Sequence, residues 1–352
     1  MQNVNLFLSI NEWCNLDCSY CNVVKTHKQL SFEDCKKAYI YFIKFFPDAS
    51  WYNIFFIGWE PMLSYKEIHK SILFLQVLSE KIGKPIATHM PTNGTLLNDR
   101  NLSFFKKYNH QISLSIDSLD PNYIERSLRW EEWKSSVPFL LQKIDLFQKF
   151  SDILRVKIVV VPQLSEKLLP TFLYLRKLWF QFINIQPAHG VFWSIEEQNI
   201  YIQNILKTKF ISQGIENLKS TTFKWSNRDE CDGPTKTSCA KWKSEICIDS
   251  YGNIMVCDAF LAYNPEKRKQ YAHDNLYTSS FDNKKFQEYS DWKYCNNTIL
   301  WDEKDLTKCK TCDEVKSCST LCNAIPINGK EYDHNILLSN FSLSHRLNKL
   351  WI

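Results

Sequence analysis

A chain of 352 residues, 44% of them hydrophobic, has enough apolar material for a sizeable core, and its length suggests two domains. Its 43 basic and 38 acidic residues leave a net charge of +5 and are interspersed, with no basic run suited to a nucleic-acid backbone. No stretch approaches the ~18 consecutive apolar residues of a membrane span, and the start, MQNVNLFLSI, lacks the basic and cleavable features of a secretory signal, so a cytoplasmic protein with neither a membrane nor a nucleic-acid partner is expected.

Apolar, β-branched runs alternate with longer helical patterns through the first half, the signature of βα units and a parallel sheet. Strands are expected at Val4–Ile10, Tyr52–Ile57, Ile86–Pro91, Gln111–Ile116, Leu154–Val161 and Phe182–Gln186. A helix is expected over Ser31–Phe46, where Ser31 can cap and Asp34 stands three residues on, and another over Ser64–Lys81. Six repeats are too few for a closed eight-stranded barrel, which leaves an α/β fold built on a partial (β/α)6 barrel over residues 1–195. A polar helical connector (196–230), a small cysteine-rich domain (231–325) and a C-terminal tail (326–352) complete the expected organisation.

Thirteen cysteines in a reducing compartment point to metal or redox chemistry before disulfides. Cys14, Cys18, Cys21 and Cys35 lie near the N-terminus and the other nine between Cys231 and Cys322, which predicts at least two metal-binding regions. Cys14, Cys18 and Cys21 form a C-x-x-x-C-x-x-C loop directly after the first expected strand. Three thiolates can hold three irons of a cubane cluster and leave the fourth open to a small molecule; the same thiols with one further ligand could instead hold zinc.

The loop, written CNLDCSYC, resembles the signature of the radical S-adenosylmethionine (SAM) superfamily. The resemblance implies a 4Fe-4S cluster whose open iron is chelated by the amino and carboxylate groups of SAM, reductive cleavage of the sulfonium, and a 5'-deoxyadenosyl radical that abstracts hydrogen from substrate. It places Tyr20 against the adenine. Gly58-Trp59-Glu60-Pro61 resembles the family's GGEP segment, which contacts the methionyl amino group, with Trp59 as the departure. Thr92-Asn93-Gly94 and Ser115-Ile116-Asp117 resemble the family's TNG and SID segments, the latter expected near the ribose, and Arg129 stands where relatives pair an arginine with the methionyl carboxylate. Taken singly, TNG is also a turn, SID an ordinary strand end, and Arg126 or Arg129 a solvated helix charge.

Cys309-x2-Cys312-x5-Cys318-x3-Cys322, with Cys239 and Gly252-x4-Cys257, resembles the SPASM extension, which carries two auxiliary iron-sulfur clusters in peptide- and protein-modifying members of the superfamily. By that resemblance Cys239, Cys257 and Cys322 bind the inner auxiliary cluster, with Cys231 the better fourth ligand and Cys247 the weaker. Cys309, Cys312 and Cys318 bind the outer one. No cysteine follows Cys322, so an aspartate, His334, Cys295 or an open iron must complete the outer site. A pair of structural zinc sites would use the same thiols. Asp258 resembles the acid-base residue of sulfatase-maturing relatives, and is otherwise a turn residue.

The expected function is a radical SAM peptide maturase that takes hydrogen from a ribosomally made peptide to close a carbon-carbon or thioether cross-link, with an external flavodoxin- or ferredoxin-type electron donor. The alternatives are a formylglycine-forming sulfatase-maturing enzyme and a non-catalytic metal-binding scaffold. The chain begins close to its first expected strand, so a peptide or protein substrate is expected to be recognised by the barrel and SPASM surfaces or by a separate leader-binding adaptor.

Overall fold

The computed structural model describes residues 3–213 apart from 22, 179 and 189, residues 244–279 apart from 256 and 257, and Leu343 and Arg346. The expected ligands Cys231, Cys239, Cys257, Cys309, Cys312, Cys318 and Cys322, together with Cys295 and His334, lie outside the described residues.

The elements begin with β1 (Asn3–Asn11), β2 (Leu16–Cys18), α1 (Phe32–Phe45), β3 (Trp51–Gly58), α2 (Tyr65–Ile82) and β4 (Ile86–Thr92). Next come α3 (Asp99–Lys107), β5 (Gln111–Ser115), β6 (Arg126–Leu128), β7 (Glu131–Ser135), α4 (Val137–Leu141) and α5 (Ile144–Lys149). Then follow β8 (Leu154–Val160), α6 (Leu168–Lys177), β9 (Ile183–Pro187), α7 (Ile195–Gln213), β10 (Glu245–Ile248), β11 (Asn253–Met255), α8 (Pro265–Tyr271) and β12 (Asp274–Asn275). All six expected strands are present, as β1, β3, β4, β5, β8 and β9, with ends within one or two residues of those the periodicity indicates. None of the described helices is long and apolar enough to cross a membrane.

The described residues fall into two compact units, the first holding 3–13, 23–88 and 244–279, the second 14–21, 89–213 and the two C-terminal residues. In the first, the strand order is β12-β11-β10-β1-β3. β1 is parallel to both β3 and β10, which suits a strand whose Val4, Leu6, Leu8 and Ile10 are all fully buried. α1 starts on the expected capping box: the Asp34 N–H donates to Ser31 Oγ and the Ser31 N–H to Asp34 Oδ2, each at 3.2 Å. Its buried residues Cys35, Ala38, Tyr39 and Phe42 recur at helical spacing.

In the second unit, β4-β5-β8-β9 form an all-parallel array, and a separate three-stranded antiparallel sheet runs β2-β6-β7. His110, between α3 and β5, is fully buried with its ring 4.7 Å from that of Phe105. Burial pushes its pKa down to about 3, helped by the nearby His89, itself pushed down to about 4 by burial and by Arg155. Both imidazoles therefore stay neutral in the native state at pH values where an unfolded histidine takes up a proton. Stability is expected to be complete above pH ~6.5 and to fall as pH drops below it, His110 adding a slope of up to ~1.4 kcal/mol per pH unit. Thermal unfolding followed by circular dichroism from pH 8 to 4 checks this, and His110→Phe should flatten the acid limb.

Candidate active site

The cysteine loop is partly a strand. β2 pairs with β6 so that Leu16 faces Leu128, Asp17 faces Ser127 and Cys18 faces Arg126. Around it the Ser19 N–H donates to the Glu125 carbonyl at 3.0 Å, the Arg129 N–H to the Asn15 carbonyl at 3.1 Å, and Ser127 Oγ to the Asp17 carbonyl at 3.2 Å. After β2 the backbone turns tightly, the Cys21 N–H reaching the Cys18 carbonyl at 3.0 Å. Cys14 and Cys18 are half-buried and Cys21 is exposed.

Cys14 Sγ lies in a polar cradle. It accepts the Leu16 N–H at 3.3 Å and the Asn93 amide at 3.8 Å. The same Asn93 amide donates to Asn15 Oδ1 at 2.8 Å, Asn15 Nδ2 donates to Thr95 Oγ1 at 2.8 Å, and Thr95 Oγ1 donates back to Asn93 Oδ1 at 2.6 Å. Asn93 therefore fixes the residue that follows the first thiol. Gly94 at the centre of this turn has φ +80°, and a Cβ there would stand 2.5 Å from Leu114 Cδ1, so only glycine fits.

Beside Cys18 lies a buried ionic cluster. Arg126 Nη1 donates to Asp117 Oδ2 at 3.1 Å and to the Tyr20 hydroxyl oxygen at 3.3 Å, while the Tyr20 hydroxyl donates to Asp117 Oδ2. Asp117 Oδ1 accepts the Val159 N–H at 2.9 Å. The Arg126 side chain is 7% exposed and that of Asp117 0%. Burial works against the guanidinium charge, but Tyr20, Asp117 and Cys18 outweigh it and hold the Arg126 pKa above its usual range. Burial pushes the Cys18 thiol up to about 12 and Arg126 opposes that shift, while Cys21, Asp117 and Cys14 add to it. Tyr20 is raised well above the usual phenol range, chiefly by burial.

The structure places the two arginines in different surroundings. Arg129, expected to pair with a carboxylate, is exposed and is tied to the loop through its backbone, whereas Arg126 is the one held beside Tyr20 and Asp117. Ser115 ends β5, half-buried and in register with Lys157.

In the first unit the Gly58 segment is knit to the residues that precede Cys14. The Glu60 N–H donates to the Trp13 carbonyl at 3.1 Å, and Asn11 Nδ2 donates to the Glu60 carbonyl at 2.9 Å and to Ser64 Oγ at 2.8 Å. The Glu60 carboxylate is fully buried, Oε1 accepting the Met62 N–H at 3.0 Å as the cap of a short 3-10 turn. Trp59, the departure from the family segment, donates its indole N–H to the Val24 carbonyl at 3.1 Å. Gly58 has φ +146°, and a Cβ there would lie 2.7 Å from the Asn11 carbonyl oxygen. Gly58→Ala is expected to cost ~1–3 kcal/mol through strain at that backbone contact, measurable as a lower midpoint in urea.

Asp258 is half-buried at the start of a short 3-10 turn, Asp258–Ala262. Cys247 is fully buried in β10, in register with Phe7 on one side and Met255 on the other, and Cys35 is fully buried on α1.

Among the described residues no three His, Cys, Asp or Glu side chains are arranged around a single metal ion. A cubane asks for something else, one thiolate on each of several irons. The residues present fit that demand: soft sulfur donors on a short loop, N–H donors aimed at Cys14 Sγ, and a buried guanidinium whose charge favours the Cys18 thiolate. Cys14, Cys18 and Cys21 would hold the cluster.

Residues 8–163 match the profile of the Radical SAM superfamily. An uncharacterised protein of Methanocaldococcus jannaschii is 29% identical over 123 residues, which are 35% of this chain and 41% of the relative, so the match spans less than half of that curated protein. Among solved structures, anSMEcpe with bound AdoMet and the Cp18Cys peptide superposes with a TM-score of 0.69 at 16% identity, covering 99% of this chain and 97% of the other. Streptococcus suis SuiB bound to its precursor peptide SuiA gives 0.59 at 18% identity, covering 92% and 72%. These likenesses are of fold, whereas the profile match is of sequence and includes the cysteine loop. Residues 8–163, somewhat less than half of the chain, match the Radical SAM superfamily, whose enzymes work with a 4Fe-4S cluster and S-adenosylmethionine.

Proposed function

We propose that this enzyme is a peptide maturase that forms a carbon-carbon or thioether cross-link in a ribosomally made peptide. The observation that carries this reading is the fold shared over nearly the whole chain with two proteins whose structures hold peptides, the Cp18Cys peptide in anSMEcpe and the precursor SuiA in SuiB. When bound, the cluster and SAM supply a 5'-deoxyadenosyl radical. The chain's own residues do the rest. Cys14, Cys18 and Cys21 hold the iron-sulfur group, Tyr20 and Asp117 shape the adenosyl end of the pocket, and Arg126 provides the fixed positive charge that a methionyl carboxylate requires, in the place first expected of Arg129. Gly58, Glu60, Asn93 and Ser115 belong to the segments that the family resemblance assigns to SAM.

Asp258 would accept a proton as the substrate radical is oxidised; the C-terminal cysteines would hold auxiliary clusters able to serve as the electron acceptor, and a flavodoxin- or ferredoxin-type protein would be the external donor. A peptide alone, or a peptide presented by a leader-binding adaptor, is the partner. Formylglycine formation in a sulfatase is the second reading, favoured by the anSMEcpe fold likeness.

The test is anaerobic reconstitution with iron and sulfide, reduction, and assay for 5'-deoxyadenosine, followed by incubation with the peptide encoded by a short neighbouring reading frame. Loss of two hydrogens with retained chain length supports the maturase; a new aldehyde at serine or cysteine supports the second reading; no nucleoside from a cluster-loaded chain rejects both. Asp258→Asn is expected to spare SAM cleavage and slow product formation by ~10²-fold or more. Unchanged turnover removes Asp258 from the mechanism.

A further inference from the structure

Two residues before Cys14 a carboxylate is fully buried. Glu12 is 0% exposed, and so are its partners Arg268 on α8 and Asp249 in the turn after β10. Arg268 Nη1 donates to Glu12 Oε1 at 2.6 Å and Nη2 to Glu12 Oε2 at 2.7 Å, a bidentate fork. Arg268 also lies 3.3 Å from Asp249 Oδ2, and its guanidinium packs 5.6 Å from the Tyr251 ring centre. Ser250 Oγ donates to Glu12 Oε1 at 2.5 Å.

Glu12 is joined just as firmly to the chain that returns after Cys21. Thr26 Oγ1 donates to Glu12 Oε2 at 3.0 Å, the Thr26 N–H to the Glu12 carbonyl at 2.7 Å, and the Glu12 N–H to the Lys28 carbonyl at 3.0 Å. The Leu30 N–H reaches the Ile10 carbonyl at 2.9 Å, and Tyr251 Oη touches Thr26 Oγ1 at 3.5 Å. One buried ion pair thus joins the stem entering the cysteine loop, the stem leaving it, and a C-terminal segment 256 residues away.

We propose that Arg268 is a positioning residue for the cysteine loop: through Glu12 it fixes the two stems from which Cys14, Cys18 and Cys21 are hung, so that the loop is set for its cluster only when the C-terminal segment has docked. The physical ground is asymmetry. Two carboxylates share one guanidinium in a fully buried site, and taking the cation away leaves Glu12 and Asp249 buried without a counter-charge, so the stems open to reach water. Hydrogen-bonded partners behind metal ligands set ligand orientation, and their loss typically weakens metal binding by ~10–100-fold. The inference rests on the reading that Cys14, Cys18 and Cys21 hold the cluster, and its test has an arm that does not.

Amide hydrogen exchange on the full-length, cluster-free chain should show Glu12, Thr26 and Leu30 exchanging at least ~10-fold faster in Arg268→Met than in the wild type, with Val156 and Ile116 unchanged as controls. In the reconstituted and reduced protein, the part of the cluster electron paramagnetic resonance signal that shifts on adding SAM should fall at least ~5-fold in Arg268→Met and recover in part in Arg268→Lys, which keeps the charge but not the fork.

Glu12→Gln keeps volume and leaves Arg268 its Asp249 partner, so it decides the matter should Arg268→Met not fold, with faster Thr26 exchange and a weaker SAM-sensitive signal expected. Exchange unchanged in both variants overturns the proposal, as does faster exchange with a full SAM-sensitive signal, which would make the pair a stabiliser and nothing more. A wild-type cluster that ignores SAM would count against the cluster assignment, and the exchange arm would still decide whether the ion pair holds the stems.

Discussion

Cys18→Ala is expected to abolish SAM cleavage, lowering 5'-deoxyadenosine formation by at least ~10³-fold, about 4 kcal/mol of barrier. Cys18 is the middle one of the three proposed ligands and the one that faces Arg126 across the β2–β6 pair. Without its sulfur two thiols remain, too few to hold a cubane against solvent, so iron and sulfide at this site should be lost together with the activity. The control is Cys35→Ala. Cys35 is buried on α1 near Tyr39 and Ser71, its thiol pushed up to about 12 by burial, and its loss should cost a modest core stability and leave iron content and cleavage near wild type. Iron analysis, the SAM-sensitive resonance signal and nucleoside yield on both variants make the comparison.

Arg126→Met is the second large effect. The substitution keeps the stem of the side chain and removes the guanidinium in contact with Asp117, whose side chain is 0% exposed. Breaking such a pair from one side typically costs ~3–5 kcal/mol because the remaining charge stays buried. The expected result is a clear drop in unfolding midpoint and loss of SAM binding by equilibrium dialysis. Asp117→Asn on top of it should restore much of the stability, since the amide can still accept the Val159 N–H, and none of the SAM binding. Restored binding in the double variant would show that Arg126 serves the fold alone.

What was legible in the sequence was local. The spacing of Cys14, Cys18 and Cys21, the six β-branched runs and the Ser31–Asp34 cap each lie within a few residues, so periodicity and cap chemistry suffice to place them. What was not legible depends on pairing at a distance. The placing of Arg126 beside Cys18, with Arg129 exposed, depends on the register of two three-residue strands, too short to carry any periodicity. β10, four residues reading EICI, carries no alternation, yet it pairs in parallel with β1 from more than 230 residues away, Asn5 opposite Glu245. Glu12, Asp249 and Arg268 look like three ordinary surface charges until folding brings them together in a fully buried site.

The ladder that joins β2 to β6 has a further consequence. Side chains on a strand alternate between its two faces, so a single residue inserted or deleted between Asn15 and Asp17 would turn Cys18 away from Arg126 and swap it for a neighbour pointing the opposite way. Loop length between the first two thiols is therefore counted in steps of two as far as the strand is concerned, and a one-residue change would be rejected even if the new loop could still reach every iron.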